Sequence, residues 1–244
     1  MAKRKHPPAF AHGRLHELFP DVFFVTGSLR MSSPLPIRFS RNMTVVRDGE
    51  RLTLVNSVRL DEAGLAGLDA LGRVTDVVRL AGYHGMDDPF YKERYGAKVW
   101  AVAGQRYAAG FEQRGDSYLE PDVEMTVNTE LPMQGASLHV IAGSPPEGLL
   151  LIERGGGVLV AGDALQNWED ADQYFSWPGR VMLRKLGYLK PRNIGPVWLR
   201  QTRPRLDDVR ALLEIEFEHV LPAHGAPVRG SARDSYRPGI EALA

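Results

Sequence analysis

Three places in the chain set an imidazole or a carboxylate directly after an apolar run. His84, Asp87 and Asp88 lie in LAGYHGMDDPF (80–90), which follows the hydrophobic residues 74–80. Asp163 follows GVLVA (157–161), and His224 closes LPAHG (221–225). Ligands of α/β proteins gather at the carboxyl ends of strands, so these are positions where chemistry is expected. His and Asp bind zinc, iron or manganese, and they also serve as acids and bases. Each has a plainer use. Asp87-Asp88-Pro89 is a helix-start signal, because Asp caps free N–H groups and Pro fits the first turn. A lone His or Asp after a strand is more often structural than functional. Three such strand ends in one chain are harder to dismiss.

The elements that must position these residues follow from periodicity. Residues 22–26 form an apolar strand, and a Ser/Pro-rich loop spans 32–36. Residues 43–47 and 51–55 flank Asp48-Gly49, which predicts a hairpin with a positive-φ turn. Leucines at 60, 65, 68 and 71 predict a helix capped by Asp61 and stopped by Gly72. Strands are expected at 74–80, 97–102, 138–142, 148–152 and 157–161, with a short helix over 90–95. Residues 204–217 carry apolar positions at helical spacing, and 218–222 read as a strand. Residues 103–132 show no sustained period. Residues 166–203 combine three tryptophans with a run of Arg and Lys. That run reads as an aromatic-anchored helix with a solvated basic face, or as a lid beside Asp163. Residues beyond 230 are polar and give no element.

Composition narrows the classes. The chain has 244 residues, 43% of them hydrophobic and 25% charged, enough for a sizeable core in one domain spanning 1–244. Residues 1–20 are expected to be a loose arm with exposed His12 and His16. Lys plus Arg equals Asp plus Glu at 30 each. That balance gives no support to nucleic acid or a membrane as the main partner, though it leaves local basic patches open. A small-molecule substrate or ligand is the expected partner. Cysteine is absent, which excludes disulfides, thiolate nucleophiles and Cys-ligated zinc. The basic first residues lead into no signal-length apolar core, and no run approaches the roughly 18 apolar residues of a membrane span, so a cytoplasmic location is expected.

Over residues 23–227 the sequence resembles the metallo-β-lactamase superfamily. The resemblance rests on NMTVV (42–46) and LTLVNS (52–57) as an opening hairpin, Gly162-Asp163-Ala164 as the Gly-Asp motif, and Pro222-Ala-His224-Gly225 as the closing motif. It implies a four-layer αββα sandwich. Two-metal members carry His-x-His-x-Asp-His after the strand matched by 74–80. Here those positions hold His84, Met86, Asp88 and Pro89, and a further family histidine falls near Ser144. The resemblance thus implies loss of the three-histidine metal position. It retains Asp88, Asp163 and His224 at the second, with His84 beside them as a further ligand or a base.

Two functions follow from this pattern. One is a hydrolase of an ester, thioester or lactone-like bond using one divalent cation (zinc, iron or manganese), with His84, Asp88 and Asp163 in the catalytic work. The other is a metal-free protein on the same scaffold that binds a small ligand without turnover. In that case the positive charge of His84, His224, Arg180 or Arg184 would offset Asp88 and Asp163.

Overall fold

A computed structural model describes residues 6, 8–31, 36–106 and 119–243. Residues 32–35 of the expected loop and 107–118 of the unpatterned 103–132 stretch lie outside them. The first half builds a seven-stranded sheet in sequence order: β1 (His16–Phe19), β2 (Val22–Met31), β3 (Ile37–Asp48), β4 (Arg51–Val55), β5 (Arg73–Arg79), β6 (Lys98–Val102) and β7 (Val123–Met125). The first four are antiparallel neighbours and the last four are parallel, joined in part by α1 (Glu62–Leu71) and α2 (Asp88–Tyr95). The expected hairpin is present, with Asp48 opposite Arg51 and Gly49 at φ 60. Asp61 caps α1 by accepting from Gly64 N at 2.9 Å, and Gly72 ends it.

The second half supplies β8 (Ala136–Ile141), β9 (Glu147–Ile152) and β10 (Val158–Ala161), then a small ribbon of β11 (Leu165–Gln166) and β12 (Asn193–Ile194). Helices α3 (Trp177–Lys185), α4 (Pro196–Thr202) and α5 (Leu206–Arg210) lead to β13 (His219–Pro222), β14 (Val228–Arg229) and α6 (Ala232–Glu241). The second sheet runs β14-β13-β10-β9-β8.

The period-two alternation of the strands makes the layers. Val22 and Phe24, with Val46, Val55 and Val78, face the other sheet and meet Leu150, Ile152, Val158, Val160 and Leu221. Their neighbours Phe23, Val25, Val45, Leu54 and Val77 face outward, where Leu65 and Leu68 of α1 and Tyr91 of α2 cover them. Leu149, Leu159 and Val220 turn the opposite way onto Trp198, Val209, Tyr236 and Ile240. The result is the helix–sheet–sheet–helix sandwich expected from sequence. Both sheets are apolar on both faces because each is covered twice.

Three local expectations change. Residues 8–20 are not a loose arm, since β1 pairs with β2 and His12 bridges to Gly27. His12 is not a solvated histidine, because its Nε2 accepts from the backbone of Asp61 at 2.9 Å. The helix expected over 204–217 is only α5 followed by a 3₁₀ turn at Ala211–Glu214. The chain leaves the helix there because Glu218 N and His219 N both bond to Gly157 O, which starts β13. In the polar tail, α6 buries Ala232, Tyr236 and Ile240 at four-residue spacing.

Candidate metal centre

Strand pairing brings the motif residues together. β10 and β13 are parallel, with Ala161 opposite Pro222, so Asp163 and His224 each stand two residues beyond a paired position. Ala223 N bonds to Ala161 O at 3.0 Å and Asn167 N to His224 O at 3.0 Å, which locks the two turns side by side. Asn42 of β3 donates from Nδ2 to Pro222 O and Gly225 O at 2.9 and 2.6 Å. Gly225 sits at φ +92, and a Cβ there would overlap the Asn167 backbone, so this turn requires glycine. His84 comes from the other sheet, in the turn after β5. Buried Asn56 ties the sheets beneath it, accepting from Leu80 N at 3.2 Å and donating to Ala161 O at 3.1 Å.

At this junction His84, Asp163 and His224, all buried, form a group able to hold a metal ion, with one ligand atom from each within 4.8 Å of the others. The Asp163 carboxylate spans the two rings. His84 Nε2 lies 3.3 Å from Oδ2, and His224 Nε2 lies 3.3 Å from Oδ1. For zinc bonds of about 2.0 Å, the edge of a tetrahedron is about 3.3 Å, so these spacings suit two ligands of one ion. His224 Nδ1 is 3.1 Å from the Ser40 carbonyl, which can only accept, so Nδ1 carries the proton. A neutral His224 therefore aims an Nε2 lone pair at a carboxylate oxygen, an arrangement that requires a cation or a second proton between them. His84 Nε2 and Asp163 Oδ2 are buried without a hydrogen-bond partner. Orphaned donors and acceptors of this kind are costly unless an ion or ordered water satisfies them.

The electrostatics agree. Burial alone would raise the Asp163 carboxyl, but His84 and His224 outweigh it and hold it well below the usual carboxylate range. Burial pushes the His84 imidazole down against the pull of Asp163, which favours the neutral form that ligates metals. Behind them lies Glu147, fully buried at the start of β9. Burial, then the charge of Asp163, drive its carboxyl well above the ordinary value. Its Oε1 accepts from Ala164 N at 2.6 Å, which pins the Asp163 turn.

The cluster forms one wall of a cavity of about 50 Å³, lined also by Leu29, Phe39, Trp168, Leu183 and Tyr188. Trp168 packs at a tilt against His224, with ring centroids 4.9 Å apart and planes at 40°, and its indole N–H donates to Ser40 Oγ at 2.9 Å. Part of the 166–203 stretch is therefore a wall of the site. Burial and then the charge of Asp163 push the Tyr188 hydroxyl up, so it keeps its proton.

Of the four residues singled out from sequence, the fold joins His84, Asp163 and His224 and leaves Asp88 outside the group. Asp88 begins α2 and turns toward the first sheet, accepting from Ser57 Oγ at 2.7 Å and lying 3.5 Å from Arg79 Nη1. Burial raises its carboxyl against the opposing pull of Arg79 and Ser57, so these two partners only in part offset its desolvation. Asp87, expected only as a cap, pairs with Arg41, and Arg41 lines the cavity beside His84. Arg41 and Glu147 were missed from sequence. Neither carries a sequence signal, since Arg41 stands between Ser40 and Asn42 and Glu147 between Pro146 and Gly148.

No family model matches the chain, and no curated protein matches it by sequence. Solved structures do. The DIM-1 metallo-β-lactamase superposes with TM-score 0.64 at 10% identity, covering 96% of this chain and 100% of its own. VMB-1 gives TM-score 0.62 at 13% identity over 95% and 98% of the two chains. The FIM-1 metallo-β-lactamase of Pseudomonas aeruginosa, in a mono-zinc form, gives 0.61 at 12% identity over 96% and 97%. A mixed α/β sandwich with an acid–imidazole cluster where its two sheets meet defines the class of architecture. The chain has the metallo-β-lactamase fold.

Proposed function

We propose that the protein is a metal-dependent hydrolase that works from one divalent cation held by His84, Asp163 and His224, on an ester, thioester or lactone-like bond. The carrying observation is the pair of Nε2 atoms at 3.3 Å from a single carboxylate, one of them unpartnered and the other turned inward by the contact of its ring Nδ1 with Ser40 O. Three protein ligands leave room for a further ligand, as catalytic zinc sites do. A cation bound there supplies Lewis acidity toward a carbonyl oxygen and acidifies water.

The chain's own groups do the rest. Ser40 O and Glu147 hold His224 and the Asp163 turn in place, as outer partners of metal ligands commonly do. Tyr188, kept protonated, presents a donor to a carbonyl oxygen entering the cavity. Leu29, Phe39 and Leu183 exclude water and favour a small apolar acyl group. Asp88, through Ser57 and Arg79, steadies the turn that carries His84 and is a positioning residue in this reading.

A second reading, a metal-free ligand pocket, is favoured by Met86, Pro89 and Ser144 standing where the two-metal pattern has histidines. Elemental mass spectrometry of protein purified without chelator, beside Asp163→Asn, separates the two. About one equivalent of zinc, iron or manganese, lost in the variant, supports the hydrolase and directs an ester and thioester screen. No metal after reconstitution overturns it and leaves the ligand pocket.

A further inference from the structure

The balanced charge of the whole chain hides a local excess. Residues 173–206 contain eight Lys and Arg and no Asp or Glu. Within this stretch α3 turns Gly179 and Leu183 inward, so closely that a Cβ on Gly179 would collide with the backbone of Arg38 on β3. Its outer side carries Trp177, 77% exposed, and Val181, 36% exposed, one helical turn apart, and Leu186 follows at 37%. Among the described residues, these are three of the four large hydrophobic side chains left exposed. Trp177 and Val181 thus share one side of α3, while Leu186 lies past its end, and an exposed apolar pair rimmed by polar residues is a candidate contact surface.

Arg180, Arg184 and Lys185 share this outer side. Asp170 is the carboxylate nearest to them, and it meets both Arg180 and Arg184 at 2.8 Å, one negative charge against two positive. Asp172 and Glu169 lie in the preceding segment, and Glu169 is 3.4 Å from Arg192. No ion pair is present for Lys185, Lys190 or Arg38 among the described residues, and Arg38 is exposed on the strand against which α3 packs. The patch is thus net basic around an apolar ridge.

We propose that α3 docks this protein on an anionic phospholipid bilayer, with Trp177 and Val181 entering the headgroup–acyl boundary and the basic side chains meeting lipid phosphates. A helix with an aromatic and aliphatic ridge flanked by Lys and Arg is suited to lie in that plane. An exposed Trp belongs there, because its ring is apolar and its N–H is polar. No helix of the described residues is long and apolar enough to cross a membrane, so the contact is superficial. Charge complementarity decides the occupant: a second copy of this chain would set the same basic patch against itself. Docking does not depend on hydrolysis, but the same helix lends Leu183 to the cavity wall, which would bring the cavity close to the lipid surface.

Sedimentation of the full-length protein with vesicles tests this. Vesicles of phosphatidylcholine with about one-third phosphatidylglycerol should carry it down at low salt, and pure phosphatidylcholine should do so at least about tenfold less. Raising salt to about 0.5 M should release it, since screening shortens the reach of the charges. Trp177→Ser with Val181→Ser should cut binding about tenfold while leaving the thermal melt and metal content unchanged, because both side chains face solvent. Absence of binding to anionic vesicles overturns the proposal. So does binding that survives the double substitution, or self-association in solution that the double substitution abolishes.

Discussion

One turn, residues 84–88, feeds two buried polar clusters that are built on opposite principles. On one side His84 meets Asp163 and His224, with no guanidinium among the three and with His84 Nε2 and Asp163 Oδ2 left unsatisfied. On the other side Asp87 and Asp88 are each matched by a buried arginine. Arg41 pairs with Asp87, which also accepts from Arg59 N at 2.7 Å. Arg79 lies against Asp88 and reaches Gln105 Oε1 and Leu119 O at 3.1 Å. A cluster whose carboxylates are matched by fixed guanidinium groups has less to offer a ligand, although Arg41 Nε there is itself without a hydrogen-bond partner. A cluster left open is costly to fold and persists only where something fills it. The contrast separates the candidate site from its support more sharply than burial does, since both are buried.

The comparison can be broken in order of effect. Asp163→Asn should reduce bound metal from about one equivalent to background, and any hydrolase activity with it, as read by elemental analysis and an ester assay. Asp88→Asn should retain the metal; equal loss in both variants would place Asp88 back among the ligands. Arg79→Met should destabilise the fold by about 3–5 kcal/mol in denaturant melts, because it strands a buried carboxylate. A loss under about 1 kcal/mol would mean that Asp88 takes up a proton or meets water once Arg79 is gone. Asn42→Ala leaves every ligand present but frees the Pro222 and Gly225 carbonyls, and it should weaken metal binding about 10–100-fold in competition titrations.

The smallest effect is on pH. Asp163 has a folded pKa held below its ordinary value, so its contribution to stability is present above the unfolded carboxylate range and is lost as pH falls through the folded value. In chelated protein, the melting temperature should therefore fall between about pH 4 and pH 2 more steeply in the wild type than in Asp163→Asn. Parallel curves would show that the two histidines do not bear on Asp163.

Much of this was legible in the chain. Alternation gave the strands, Asp48-Gly49 the hairpin, and Asp61 and Gly72 the limits of α1, because these signals act within a few residues. The strand-end positions of His84, Asp163 and His224 were equally readable. Asp88 was not, since its neighbours in sequence say nothing of Ser57 or Arg79 packed against it. The helix over 204–217 failed because Gly157 O, bonded to Glu218 N and His219 N far along the chain, recruits it into β13. The stripe Ala232, Tyr236, Ile240 in α6 was present in the sequence, but the polar residues between its members obscured it.

The sequence by itself determined which side chains were available for chemistry, which runs had to be buried, and that charge was concentrated between residues 173 and 206. These are properties of composition and period, fixed before any contact forms. Only the tertiary structure decided which charges cancel. Coulombic and hydrogen-bond partners are set by distances of a few ångströms between residues far apart in the chain. Parallel pairing of β10 with β13 put Asp163 beside His224, the facing sheet added His84, and two arginines from β3 and β5 withdrew Asp87 and Asp88 into the framework.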